Sequence, residues 1–510
     1  MALALLFMCS TASAETINAI IKLRERVPLE QLANDVRSPD SPRFGQYYSN
    51  EEIQKISGPS AVEYSQLIAQ LKLEGIQVTK ETKTHLWISV RAESSTLARV
   101  FRTQFTHDEK GNRKSLYAAK APFYMNVIES VGGLNSSRKA HPLFKRSPAS
   151  AFDPTQAAPA PPTWPGGVAP TTIKTVYGFD ALYKAGLTGK GQHIAIATYN
   201  TFDVNDVKAY YAALKLKTTA SIDQVAFNGV APVDENSAVE TQLDAEMSGM
   251  IAPGASIHVF ASATNDDAGE LQMFTAILDD GRAKVVNYSW GSCESQVDPQ
   301  HALDITKVFA QAVAQGVNIL VASGDSGSDS CQNGTTAADW PAAHPDVVAV
   351  GGTTLKVSGN KASETAWSGS GGGVSSLFTL PLWQQSFQAP YVRRSYPDVA
   401  FNADPASGEA IIAHQNGKAG WFVVGGTSMA APQWAGFLAL VGEARALRKL
   451  APLGFLNPLI YRMSAAAKKS GFNDVSSGSN GAYSAGVSWD AVTGLGSMHG
   501  QGLLKALALK

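Results

Sequence analysis

Past residue 170 the chain repeats one alternation, a short apolar run followed by a helical pattern. The runs fall at 193–197, 257–261, 285–288, 318–322 and 347–350. Strands separated by helices join through crossovers, so they form a parallel sheet with helices on both faces. The expected fold class is therefore α/β for residues 171–510. Residues 147–170 hold no Lys or Arg and are dense in Pro, Ala and Gly. They read as a linker carrying a processing site and open to proteolysis. Before it, a helical stretch at 61–74 and a strand-like one at 86–90 suggest a smaller α+β domain over 15–146. A chain of 510 residues is too long for one ordinary domain and suggests two or three, with a large core.

Residues 1–14 form a short apolar stretch ending in Ala12-Ser13-Ala14, the pattern of a secretory signal cut after Ala14. The remaining cysteines, Cys293 and Cys331, are an even number in an exported chain and point to one disulfide. In the chain-entropy model such a bridge is worth about 4 kcal/mol. The expected location is secreted, extracellular or periplasmic. No later segment is apolar for about 18 residues, so no membrane span is expected. No basic, aromatic-interleaved patch calls for nucleic acid. The charges separate between the halves. Residues 1–170 hold 20 Lys and Arg against 15 Asp and Glu; the rest holds 22 against 28. The expectation is a basic inhibitory segment docked on an acidic enzyme and released in acid, as carboxylates take up protons.

The chemistry concentrates at Gly425-Gly426-Thr427-Ser428-Met429-Ala430-Ala431-Pro432. A serine here sits between a glycine turn and the apolar run 434–441, which reads as a buried helix. Small residues admit a substrate backbone, and a helix N-terminus favours an attacking oxyanion. The same hydroxyl, or that of Thr427, can instead cap the helix. The segment resembles the nucleophile region of subtilisin-like and sedolisin-like peptidases. A subtilisin-like enzyme also needs an Asp after its first central strand, a His-Gly-Thr motif and an oxyanion Asn. None is present; the first strand runs into Thr198-Tyr199-Asn200.

Carboxyls stand in their place. Glu240 and Asp244, four residues apart, project from one helix face, where mutual repulsion raises at least one pKa and lets the pair share a proton. Ser237 to Glu240 also fits a capping box, which leaves a structural role open for Glu240. Asp325, in Ala322-Ser323-Gly324-Asp325-Ser326-Gly327, follows an apolar strand where a subtilisin presents its oxyanion Asn. A carboxyl donates to an oxyanion only while protonated, which again points to acid. That stretch also makes a good turn.

Glu, Asp, Asp and Ser in this order resemble the sedolisins, the serine-carboxyl peptidases. The prosegment motif 41–49 and the catalytic motifs at 189–192, 252–255, 349–353 and 397–400 are similar to that family as well. Cys293 and Cys331 look most like its bacterial, pseudomonalisin-like members. The resemblance implies a subtilisin-like sheet with Ser428 as nucleophile, Glu240 as base and then acid, and Asp244 orienting Glu240. Asp325, with the backbone N–H of Ser428, would form the oxyanion hole. Trp290 and Gly291 match a strand that lines the substrate cleft, although a plain core Trp is an equal reading. Some relatives carry an acidic residue just after the first strand; here Ala197 is followed by Thr198. That departure puts a proton relay beyond Glu240 and Asp244 in doubt and bears on the pH optimum and not on catalysis itself. The resemblance further implies one structural Ca2+ held by Asp474, the carbonyls of Val475, Gly486 and Ser488, and Asp490. Two carboxylates with carbonyls suit such a hard cation. Ser488 stands where Gly is common. The glycine run 368–373 lacks the Lys and strand–helix setting of a phosphate loop and reads as a flexible turn.

The expected activity is acid endopeptide hydrolysis of protein or peptide substrates through an acyl-enzyme, from a proenzyme that processes itself. The prodomain is the expected intramolecular inhibitor. The alternatives are a tripeptidyl exopeptidase, which needs a closed cleft end, and a silent secreted binding protein.

Overall fold

The computed structural model describes residues 15–147, 164–216, 220–359, 361–385, 391–415 and 417–508. The signal expected at 1–14 and most of the expected linker, with any processing site in it, lie outside the described residues. The central sheet has the strand order Ile222–Gln224, Ser256–Ala261, His193–Thr198, Val285–Tyr288, Asn318–Ala322, Val348–Ser358, Val399–Asn402, Ser497–Met498 and Phe472–Asn473. All neighbours in that order are parallel except the last pair. Strand Lys361–Ala366 adds antiparallel to Val348–Ser358. The apolar runs thus became the parallel α/β sheet that their alternation implies.

Two buried helices pack against each other beside this sheet. Helix α1 is Glu235–Ile251, and α2 is Thr427–Leu447. From Val239 to Ile251 every residue of α1 is buried, including Glu240, Gln242, Asp244 and Glu246. A helix with that many polar residues and no wet face must satisfy them internally or keep some of them neutral. Glu246 accepts the Ile412 N–H, for instance.

The N-terminal domain is a four-stranded antiparallel sheet in the order Gln77–Glu81, Trp87–Glu93, Thr16–Leu23, Ile128–Gly132. Ile17, Ala19, Ile21 and Leu23 form its own core with Leu67, Leu71 and Leu97. Ile20 and Trp87 join the core of the larger domain instead. The sheet therefore lies between its own helices and helices Asp267–Asp280 and Pro299–Ala314. Charged contacts reinforce this docking in both directions. Arg37 pairs with Asp346, but Lys307 reaches back to Glu25 and Glu30. Among the described residues, no helix is long and apolar enough to cross a membrane.

Candidate active site

Ser428 occupies the first turn of α2, whose N-cap is Gly426 at φ 107°. The N-cap is a glycine, so neither hydroxyl has the capping role. A Cβ on Gly426 would lie 2.4 Å from the Leu143 carbonyl oxygen and 2.6 Å from Asp325 Oδ2. Only glycine leaves room for the Leu143–Phe144 backbone and a carboxyl to meet beside the serine. Ser428 Oγ donates to Glu240 Oε2 at 2.9 Å and lies 3.2 Å from the Ser289 carbonyl.

Helix α1 starts a turn earlier than the capping-box reading requires. Its N-cap is Asp234, whose side chain accepts from Ser237 N–H. Glu240 is thereby freed from capping and turned inward. Burial raises the Glu240 pKa well above the ordinary carboxyl value, and the Asp244 charge raises it further. Burial likewise raises Asp244. Ser289 Oγ donates to Asp244 Oδ1 at 2.7 Å, and Asn287 Nδ2 donates to that hydroxyl at 3.0 Å. Glu240 Oε1 and Asp244 Oδ2 are buried and find no hydrogen-bond partner among the described residues. The pair so placed can hold a proton that isolated carboxylates would release near neutrality.

Asp325 comes from the loop after strand Asn318–Ala322. Its Oδ1 accepts from Thr427 N–H at 2.8 Å and Thr427 Oγ1 at 2.9 Å. Its Oδ2 is buried and has no hydrogen-bond partner among the described residues. Burial pushes its pKa up to about 7 despite those two hydrogen bonds. In acid, Oδ2 carries a proton with no other acceptor to give it to. The glycine run 368–373 supports this loop and is not the flexible turn its composition suggests. Gly371 N–H donates to Gly324 O at 2.7 Å, and Ser323 Oγ donates to Gly371 O at 2.7 Å. A Cβ on Gly371 would fall 1.9 Å from Ser323 O, so the run packs tightly against the loop that carries Asp325.

Residues 138–146, assigned by composition to the prodomain, run along the cleft of the larger domain. His141 and Pro142 pair antiparallel with Gly291 and Trp290. Leu143 N–H donates to Ser289 O at 3.1 Å, and Ser428 N–H donates to Leu143 O at 3.0 Å. Beyond Phe144, Lys145 and Arg146 pair antiparallel with Gly425 and Val424. Upstream, Asn265 exchanges two hydrogen bonds with the Ala140 backbone, at 2.9 and 2.7 Å. The Arg138 guanidinium is buried against Asp267 Oδ1 at 2.7 Å and Glu270 Oε2 at 2.6 Å. Burial alone would raise Glu270, but Arg138 and His301 outweigh it and hold its pKa at about 2.

Trp290 and Gly291 thus act through their backbone on the cleft. The Trp290 indole is buried and donates to Thr198 Oγ1 at 3.2 Å, which also pairs with Thr241 Oγ1 at 2.8 Å. A neutral hydroxyl pair fills the place at the end of the first strand. The Cys293–Cys331 disulfide ties the Trp290–Cys293 strand to the segment following Asp325.

Near the C-terminus, Asp474 and Asp490 converge on one loop. Asp474 Oδ2 accepts from Ser488 N–H at 2.9 Å, and Asp490 Oδ2 from Gly486 N–H at 3.1 Å. Asp490 is buried, and among the described residues no ion pair reaches either carboxyl. Ser488 has φ 72°, the left-handed region in which glycine is at ease. Val475 O lies beside the same turn, accepting from Thr493 Oγ1 at 3.4 Å.

Sequence comparison matches residues 8–136 to the activation domain of pro-kumamolisin and residues 230–453 to the subtilase family. Kumamolisin of a Bacillus sp. is 34% identical over 79% of this chain and 75% of its own length. Tripeptidyl-peptidase 1 of Bos taurus is 27% identical over 94% of this chain and 89% of its own. Among solved structures, Pseudomonas sedolisin, a serine-carboxyl proteinase complexed with pseudo-iodotyrostatin, superposes with TM-score 0.59 and 30% identity. That match covers 66% of this chain and 97% of the other.

Proposed function

Since this chain belongs to the sedolisin family of serine-carboxyl peptidases, we propose that it is an acid-active endopeptidase, exported as a proenzyme. The hydrogen bond from Ser428 Oγ to Glu240, opposite the unpartnered Oδ2 of Asp325, carries this reading. Glu240 takes the Ser428 proton as Oγ attacks a peptide carbonyl. Asp244 shares the charge change, steadied by Ser289 and Asn287. The oxyanion then receives Ser428 N–H and protonated Asp325 Oδ2, aimed where negative charge develops. Collapse of the tetrahedral species expels the amine, which takes its proton from Glu240. Water reverses the sequence to free the acid.

A chain that occupies the cleft on both sides of Ser428 favours endopeptidase over tripeptidyl exopeptidase activity. Arg138 to Leu143 lie on one side of the oxyanion hole, and Phe144 to Arg146 on the other. A cleft closed after three residues would exclude Ala140 and everything before it. An N-acetylated decapeptide should therefore be cut internally in acid at a rate close to that of its free-amine form. A rate at least about tenfold higher for the free amine, with release of tripeptides, would favour the exopeptidase.

We propose that the N-terminal domain inhibits by holding residues 138–146 in the cleft. Simple neutralisation in acid does not undo its deepest anchor, because Glu270 at about 2 stays ionised beside Arg138. The charge asymmetry thus assists docking without serving as the whole release mechanism. The carboxyls and carbonyls of Asp474, Val475, Gly486, Ser488 and Asp490 fit one structural Ca2+, which would neutralise two otherwise cation-free carboxylates. Chelation should lower the thermal midpoint by several degrees, and Asp490→Ala should abolish that chelator effect. An unchanged midpoint on chelation argues against the ion.

A further inference from the structure

We infer that Leu143–Phe144 is the bond that the enzyme first cuts in its own chain. This rests on the peptidase reading above and replaces the processing site expected in the 147–170 linker.

Four contacts fix the register. Leu143 O accepts Ser428 N–H at 3.0 Å, so the Leu143 carbonyl sits in the oxyanion hole. Leu143 N–H donates to Ser289 O at 3.1 Å, and that carbonyl lies 3.2 Å from Ser428 Oγ. The flanking residues then pair with two different cleft strands. His141–Pro142 pair with Gly291–Trp290 on the acyl side, and Lys145–Arg146 with Gly425–Val424 on the leaving side. A shift by one residue would break all of these pairings together, because strand partners alternate faces. Leu143 is buried at 3% exposure, as expected of a side chain that fills a pocket at the cut.

The anchoring upstream is unusually strong for a segment that is not part of a sheet core. Asn265 clamps both backbone polar groups of Ala140, and Asp267, Glu270 and His301 surround the Arg138 guanidinium. Downstream, the Arg146 guanidinium lies 4.7 Å from the centre of the Phe422 ring. Together these hold the scissile carbonyl over Ser428 and make the first cut intramolecular.

The step balances with water as the only co-reactant. Ser428 Oγ bonds to the Leu143 carbonyl carbon, and its proton passes to Glu240. The Leu143–Phe144 C–N bond breaks, and the Phe144 amine leaves with that proton. Water then splits the Leu143 ester, restoring the Ser428 hydroxyl and leaving a Leu143 carboxyl. The same register makes an apolar residue followed by an aromatic one the preferred pair at the cut in other substrates.

The test uses the purified full-length proenzyme, brought from neutral to acidic pH and sampled by intact mass and N-terminal sequencing. The earliest products should be a fragment ending at Leu143 and one beginning at Phe144. Their first-order rate should not change over about a hundredfold dilution. Phe144→Pro should slow this cut at least about tenfold, because proline on the leaving side lacks an N–H and distorts the strand. Ser428→Ala should show no cut. First cleavage elsewhere, or a rate at this bond proportional to concentration, would overturn the inference while leaving the peptidase reading intact. Absence of any cleavage, with no hydrolysis of added peptides either, would instead overturn the peptidase reading.

Discussion

Glu240→Gln is expected to lower kcat about 10,000-fold or more while KM changes less than about threefold. Glutamine fills the same volume and can still accept the Ser428 Oγ hydrogen bond, so the buried helix α1 should keep its packing. What disappears is the ability to take and return a proton. Among the described residues, the other hydrogen-bond partner of Ser428 Oγ is the Ser289 carbonyl, which cannot act as a base in place of Glu240. The variant cannot process itself, so residues N-terminal to the catalytic domain must be cut away in trans before assay. Steady-state hydrolysis of a peptide in acid measures the effect. A loss below about tenfold would mean that Glu240 only packs beside the serine.

Asp325→Ala should cost about a hundred- to a thousandfold in kcat, the usual consequence of removing one oxyanion donor. Asp325→Asn is the more informative variant. Its amide can donate from the position of Oδ2 at any pH, so the loss should be smaller, about tenfold. Its pH profile should also change. Burial holds Asp325 at about 7, so wild-type donation fades as pH rises through that value. The asparagine variant should lose that component of the decline and keep only the part set by Glu240 and Asp244. Profiles of kcat for the two proteins, overlaid, measure the difference.

The sheet was legible because parallel strands buried on both faces are continuous apolar runs, and their helices supply the spacing. Ser428 and the Glu240–Asp244 pair were legible because local rules, a glycine turn and a four-residue helical repeat, place them. The rest depends on partners distant in sequence. Whether Glu240 capped its helix depended on where α1 begins, and Asp234 settles that one turn upstream. Thr427, Ser289 and Asn287 support the carboxyls through side-chain hydrogen bonds between separate strands and loops, which no periodicity reports. The glycines at 368–373 look mobile until the Ser323–Asp325 loop is laid on them. The path of residues 138–146 rests on two-residue strand pairings and on Asn265, too short for any pattern. Its one visible trace is Arg138, followed by Leu143-Phe144 and the basic pair Lys145-Arg146, just ahead of the linker.

That a serine here works through carboxyls, with no histidine, is tested most directly by the pH dependence of peptide cleavage by the processed enzyme. The range should run from about pH 3 to about pH 9, with Ser428→Ala as the control. The predicted result is a maximum in acid, a decline as pH rises through about 7, and no cleavage by the variant at any pH. A maximum at about pH 8 or above, or cleavage that survives loss of the Ser428 hydroxyl, would contradict it.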